Sequence, residues 1–210
     1  MQFVLASGSP RRRELLASLG IDFIVIKSDI NETQGAHEAP YDYVRRLSVE
    51  KAEAVAARLT ESNSEPSLVL AADTVVILAT VQPAVATTIG VTEHGEILGK
   101  PVDVDDARQM LRRLRGRDHV VCTALTLRTP PRGELITQLT RTLVTMRTYA
   151  AAEIDAYIAT NDPFDKAGGY AIQHEGFHPV ERIDGSYSNV VGLPLETLRE
   201  MLTRIGYNLD

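Results

Sequence analysis

Residues 3–20 write a strand, a tight turn and a helix in immediate succession, which constrains the fold more than any other feature of the chain. Phe3-Val4-Leu5-Ala6 is an apolar run that empties into Ser7-Gly8-Ser9-Pro10. Ser9 can cap the following helix through its hydroxyl, and Pro10 suits the first helical position because it has no N–H to leave unpaired. Leu15, Leu16 and Leu19 make the inner stripe, and Gly20 ends it. A helix N-terminus presents unpaired N–H groups and about half a positive charge, yet Arg11, Arg12 and Arg13 stand there as well. Cations at that end are locally unfavourable. An incoming polyanion reverses the sign, since each charge-assisted hydrogen bond is worth roughly 1.5–3 kcal/mol. The alternative is that the arginines are solvated and merely flank a good helix start.

The length of 210 residues suits one large domain or two small lobes, and 44% hydrophobic with 24% charged residues is ordinary for a globular chain. A net charge of −6 argues against general nucleic-acid binding, which needs a basic face to displace counterions. Cys122 is the only cysteine, so an internal disulfide and a cysteine metal site are excluded. No apolar run approaches the ~20 residues of a membrane span, and the start lacks a signal-peptide pattern. The expectation is a cytoplasmic protein with no membrane partner.

Ile21 to Ile26 reads as a second strand, and Pro40 to Leu59 as a helix with Tyr41, Val44, Leu47, Ala52 and Val55 inside. Leu68 to Ala72 reads as a short buried strand that delivers Asp73-Thr74 at its end. Asp103 is placed to cap a helix carrying Ala107, Met110, Leu111 and Leu114, stopped by Gly116. His119 to Arg128 and Glu134 to Tyr149, joined by Pro130-Pro131-Arg132-Gly133, read as a long antiparallel hairpin. Ile154, Tyr157 and Ile158 mark another helix, broken at Asn161-Asp162-Pro163, and Pro194 to Ile205 a last one. Early alternation of helix and strand with a late hairpin predicts a mixed α/β sheet.

Several residues on this scaffold are suited to anion chemistry. Asp73 falls where open α/β sheets place functional groups, although turn formation explains an aspartate there equally well. Lys100, in the turn Leu98-Gly99-Lys100-Pro101, can neutralise a phosphate or simply be a solvated turn lysine. Glu32 lies in a loop after the second strand, and two carboxylates from separate loops could share a hard cation such as Mg²⁺. Lys51 falls four residues after Leu47 and so belongs to the inward stripe, where a lysine either serves a site or snorkels along apolar surface. In Asp165-Lys166-Ala167-Gly168-Gly169-Tyr170-Ala171-Ile172-Gln173, the paired glycines allow close backbone approach and Gln173 matches a nucleobase edge. The structural alternative is a glycine turn between sheet elements.

Taken in order, Ser7 to Leu16, Tyr43-Val44-Arg45-Arg46-Leu47-Ser48 with Lys51-Ala52, Ala72-Asp73-Thr74, Leu98 to Pro101, Asp165 to Tyr170 and Gly192-Leu193-Pro194 resemble the Maf family of nucleoside triphosphate pyrophosphatases. The Asp-Lys-Ala-Gly-Gly-Tyr-Ala-Ile-Gln form resembles its dTTP/UTP-hydrolysing branch. The resemblance covers nearly the whole chain. It implies one domain of residues 1–210, with an elongated mixed sheet flanked by helices and two lobes around a cleft. It also implies hydrolysis between the α and β phosphates with a divalent cation, Mg²⁺ or Mn²⁺, as a house-cleaning activity on pyrimidine triphosphates, and makes a homodimer an expectation. By motif, Asp73 corresponds to the proton acceptor that activates water. Arg11, Thr74 and Gln173 correspond to substrate selection, and Ser7, Arg12, Lys51 and Lys100 to phosphate handling. Glu32 corresponds to a second acidic residue near the metal.

One departure concerns the link from Asp73 to Lys100. The resemblance implies a compact hairpin, whereas Ile77 to Ile97 is longer, so a loop insertion at about 79–95 is expected, with the hairpin retained because loop length costs little stability. Two other functions compete: a nucleotide-binding regulatory protein with little turnover, and a pyrophosphatase for non-canonical purine triphosphates. Asp73 speaks against the first and Gln173 against the second.

Overall fold

In a computed structural model, which describes residues 1–62, 67–79, 95–129, 133–207 and 209, the opening stretch forms β1 (Gln2–Leu5) and α1 (Pro10–Ala17). The Ser9 hydroxyl accepts the Arg12 N–H at 3.4 Å, Pro10 occupies the first turn, and Gly20 takes a positive φ of 74° beyond the helix. The N-cap is the one the sequence foretells; the helix itself stops at Ala17 with Ser18 as its C-cap, and Gly20 closes the turn that follows. The chain continues through β2 (Phe23–Val25), α2 (Pro40–Glu61), β3 (Ser67–Leu78), β4 (Glu96–Leu98), α3 (Val104–Leu114), β5 (Asp118–Arg128) and β6 (Leu135–Met146). It ends with α4 (Ala151–Ile158), two short 3₁₀ turns, β7 (Val180–Asp184), α5 (Tyr187–Val191) and α6 (Leu195–Arg204).

Among the described residues, seven strands share one sheet in the order β2-β1-β3-β5-β6-β7, with β4 paired to β3. β1 runs parallel to both β2 and β3, whereas β3 with β4 and β6 with β7 are antiparallel. Helices flank the sheet, so the mixed α/β class expected from the sequence holds. The predicted hairpin of β5 and β6 is visible at both ends: Thr129 N–H donates to Glu134 O, and Met146 N–H to Arg117 O. Its tip, 130–132, and most of the expected insertion, 80–94, lie outside the described residues. The flanks of the insertion, Val76–Leu78 and Glu96–Leu98, pair in antiparallel register.

The chain packs as two units, and β3, β5 and β6 each contribute residues to both. The first unit comprises 1–73, 123–140 and 192–210. Here the alternation of β3 sorts side chains between two cores. Leu68, Leu70 and Ala72 pack with Phe3, Leu5, Leu16, Leu198 and Leu202, while Val69 and Ala71 pack with Val4, Ala6, Ala52, Val55 and Leu59. Both faces are covered, which is why β1 and β3 read as continuous apolar runs. Each fully buried leucine contributes about 2 kcal/mol of transfer free energy. The second unit, 74–122 and 141–191, gathers Val76, Leu98, Val121 and Val144 of the sheet against Leu111 of α3 and Ile154 and Tyr157 of α4.

Two local expectations need correction, and at the paired glycines the structure shows what approaches them. β3 does not stop at Ala72 but runs on to Leu78, because β4 pairs with its far end, Val76 to Leu78, beyond the part paired with β1. Asp73 is therefore in mid-strand. The second strand covers only Phe23–Val25; Ile21 packs in one core of the first unit and Ile26 against the other, although Ile26 N–H still bonds Leu5 O of β1 at 3.1 Å. Gly168 and Gly169, at φ of 71° and 68°, serve protein packing: a Cβ would meet the Val76 side chain at 3.1 Å and Pro101 at 3.0 Å. Among the described residues no helix is long and apolar enough to cross a membrane.

Candidate functional site

Register places Asp73 in a gap of the ladder. The last β1 partner of β3 is Leu70 and the first β4 partner is Val76, so Asp73 lies where neither strand reaches. Ala6 N–H bonds Leu70 O, and by alternation Ala72 O faces the same way with no strand to receive it. Arg12 takes its place, donating Nη1–H to Ala72 O at 2.8 Å, Nε–H to Gly192 O at 2.9 Å and Nη1–H to Ser7 Oγ at 3.3 Å. Ser7 Oγ also accepts the Ser9 N–H at 3.2 Å. The arginine fork thus fastens the turn before α1, the end of the β1-paired part of β3 and the 192 loop to one another. Burial pulls the Arg12 pKa down, and the Asp73 charge opposes that fall. Arg11 is half-buried and Arg13 exposed.

The Asp73 side chain continues the face of Val69 and Ala71, which α2 covers. Tyr43, Leu47 and Lys51 recur every four residues along α2 and share that side. Lys51 is buried, its ammonium 2.6 Å from Asp73 Oδ1 and 2.9 Å from Glu32 Oε1. The two carboxylate oxygens are therefore no farther apart than those two distances together. Desolvation raises the Asp73 pKa; Lys51 and Arg12 counter it, and the Glu32 charge adds to the rise. The result is a carboxylate with a stronger hold on a proton than an ordinary aspartate, as a general base requires.

Glu32 is brought to Lys51 by a loop that α2 itself ties down. The Tyr43 hydroxyl donates to Glu32 O at 2.8 Å, and Arg46 Nη2–H to Thr33 O at 3.1 Å. Arg46 also grips Glu38 with two hydrogen bonds, of 2.6 and 2.8 Å, which together with the Gly35 N–H depress the Glu38 pKa to about 2. Burial followed by the charges of Asp73 and Glu32 raises the Tyr43 pKa. Ser48, one turn from Lys51, bonds Thr126 Oγ1 at 2.9 Å inside the first unit.

Of the residues singled out in the sequence, Ser7, Arg12, Glu32, Lys51 and Asp73 form one connected cluster in the first unit. Thr74 follows Asp73 along β3 and is half-buried; Lys100, directly after β4, and Gln173, on a turn after Tyr170, are exposed residues of the second unit. Tyr43 and Arg46 carry structural roles at the site that the sequence reading did not assign. The four-residue spacing from Tyr43 to Lys51 was the available signal for the first. Among the described residues no group of three His, Cys, Asp or Glu side chains is arranged to hold a metal ion; Glu32 and Asp73 offer two carboxylates.

This cluster can be compared with known proteins. The family model described as Maf-like protein matches residues 2–205. A protein from Geobacter sulfurreducens named dTTP/UTP pyrophosphatase is 46% identical over 205 residues, covering 98% of this chain and 97% of its own. Proteins of the same name from Shewanella oneidensis and Syntrophus aciditrophicus are 45% and 43% identical over 98% of this chain, covering 99% and 90% of theirs. With a family match and relatives that span the fold from β1 to α6, the chain belongs to the Maf family.

Proposed function

We propose that this protein is a nucleoside triphosphate pyrophosphatase acting on dTTP and UTP, cleaving the α–β phosphoanhydride to a nucleoside monophosphate and pyrophosphate, with Asp73 as the base. The observation that carries the role of Asp73 is its position: buried, in a gap of the ladder, with Lys51 at 2.6 Å and a raised pKa. A protein that only binds triphosphate gains nothing from a buried carboxylate among its phosphate-binding groups. The relatives named above support the pyrimidine substrates.

A divalent cation fits this donor set. Glu32 and Asp73 supply hard oxygen donors drawn to one positive charge already, and Mg²⁺ characteristically takes one or two carboxylates plus waters and phosphate oxygens. Bound there, Mg²⁺ or Mn²⁺ would neutralise phosphate charge and acidify water. The protein groups do the rest. Asp73 accepts the proton of the attacking water; Lys51, held between the carboxylates, faces the negative charge that develops on phosphate oxygens; Arg11 and the α1 N-terminus receive the triphosphate. Arg12 contributes through the frame it builds from Ser7, Ala72 and Gly192. Thr74 and Gln173 select the base, and Lys100 adds a phosphate contact. This reading treats residues 1–210 as one catalytic domain, supported by the three strands that run through both packed units.

The test incubates the purified protein with a panel of nucleoside triphosphates, with Mg²⁺ or EDTA, and measures pyrophosphate release beside Asp73→Asn. Release from dTTP and UTP that EDTA and the substitution both abolish is expected. Nucleotide binding without release would overturn the assignment as an enzyme, and unchanged release by Asp73→Asn would overturn the role of Asp73.

A further inference from the structure

One side chain grips the segment that carries Gln173 from both sides. Tyr157 of α4 is buried; its hydroxyl donates to Asp162 Oδ2 at 2.9 Å and accepts the Ala171 N–H at 3.1 Å. Its ring stacks on Phe177, centroids 4.5 Å apart at 19°, and meets the His174 ring edge-on at 4.8 Å. His174 in turn holds the chain beyond it, its Nδ1 accepting the N–H groups of Gly176 at 3.1 Å and Phe177 at 2.9 Å. Gln173 thus lies between two residues, Ala171 and His174, that both touch Tyr157.

The hydroxyl is oriented from behind. Lys166 donates to Asp162 O at 2.6 Å, Asp162 Oδ1 at 2.8 Å and Asp165 Oδ1 at 2.6 Å, so Asp162 is fixed with Oδ2 toward the tyrosine. An ionised carboxylate can only accept, which commits the tyrosine proton to Asp162 and leaves an oxygen lone pair for Ala171. The Asp-Lys-Ala-Gly-Gly-Tyr-Ala-Ile-Gln stretch therefore holds more than glycines for packing: its acidic and lysine residues set the direction of the bond that pins the turn bearing Gln173.

We propose that Tyr157 is a positioning residue for base selection, fixing through Ala171 and His174 where the exposed Gln173 amide is presented. The inference rests on the reading of Gln173 as the base-selecting residue. Hydrogen bonds weaken steeply with distance and angle, so a loosened turn loses discrimination between bases before it loses chemistry at the phosphates.

Tyr157→Phe removes one oxygen and keeps both ring contacts. The experiment measures kcat and KM for dTTP and CTP in wild type, Gln173→Ala, Tyr157→Phe and Tyr149→Phe, together with the melting temperature of each. Tyr149 is the control, a buried tyrosine whose ring also packs on Phe177 but whose hydroxyl donates to Leu111 O at 2.6 Å instead of bonding the Gln173 segment. Tyr157→Phe should lower the dTTP-to-CTP ratio of kcat/KM about tenfold, as Gln173→Ala does, mainly through KM for dTTP, with kcat within about twofold. Tyr149→Phe should lower the melting temperature and keep the ratio. If Tyr157→Phe does not fold, Asp162→Asn, whose amide can donate and so misdirect the hydroxyl, should lower the ratio in the same direction. An unchanged ratio in the folded Tyr157 or Asp162 variant, beside a reduced one in Gln173→Ala, overturns the role of Tyr157 alone. An unchanged ratio in Gln173→Ala overturns the selection role of Gln173 and this inference with it.

Discussion

The Lys51 ammonium sits 2.6 Å from Asp73 and 2.9 Å from Glu32, one buried cation shared by two carboxylates from different parts of the chain. Its removal leaves Asp73 buried beside Glu32 with less compensation. Lys51→Met should therefore cost about 3 kcal/mol of folding free energy, measured by urea unfolding at neutral pH. Pyrophosphate release should fall at least roughly a hundredfold, since positioning and charge neutralisation carry this type of chemistry.

Arg12→Lys tests the frame. A lysine ammonium has three donors at one point and cannot span Ala72 O, Gly192 O and Ser7 Oγ as the planar fork does. We expect a loss of about 2 kcal/mol in denaturant unfolding and a KM raised about tenfold for dTTP, because the Ser7 turn and the α1 N-terminus lose their tether.

Glu38→Gln tests the strap that holds the Glu32 loop. Arg46 hydrogen bonds depress the Glu38 pKa from 4.5 to about 2, so its stabilisation is complete above the ordinary value and is lost as pH falls through the folded one. The melting-temperature gap between wild type and Glu38→Gln should be full at neutral pH and shrink steadily below about pH 4.5. A gap that grows on acidification would refute the assignment.

His119 gives stability its own pH dependence. The imidazole is fully buried, its Nε2 2.7 Å from the Tyr170 hydroxyl, and burial lowers its pKa from 6.5 to about 3. The unfolded chain takes up a proton as pH drops through 6.5 while the folded chain does not, so stability falls with pH from that point toward the folded value. The slope between about pH 6 and 5 should approach 1.4 kcal/mol per unit, and His119→Gln should remove it, as chemical unfolding at several pH values would report.

The parts of the fold governed by neighbours along the chain were legible beforehand. Ser9 and Pro10 announced the start of α1 and Gly20 the turn that follows it, and Asp103 capped α3, its carboxylate accepting the Asp106 N–H at 2.8 Å. The inward placement of Lys51 followed from its spacing to Leu47. What escaped was set by pairing. Val180-Glu181-Arg182-Ile183-Asp184 has no apolar run to mark a strand, yet it forms β7 because β6 offers it an antiparallel ladder. Asp73 read as a strand end because aspartate disfavours strands, and β4 overrode that preference by carrying the ladder on to Leu78.

The sequence alone determined which chemistry was present: a capped helix with arginines at its start, an aspartate on a buried strand and a lysine on an inward stripe. Capping, periodicity and charge type act within a few residues, so they can be read from the chain. Tertiary structure decided the partners. Arg12 reaches Gly192 across 180 residues and Lys51 reaches Asp73 across 22, contacts that exist only once strand register and the packing of α2 bring those backbones together. It also divided the arginines, committing Arg12 to the backbone around Asp73, because an unpaired carbonyl at the gap in the ladder must find a donor.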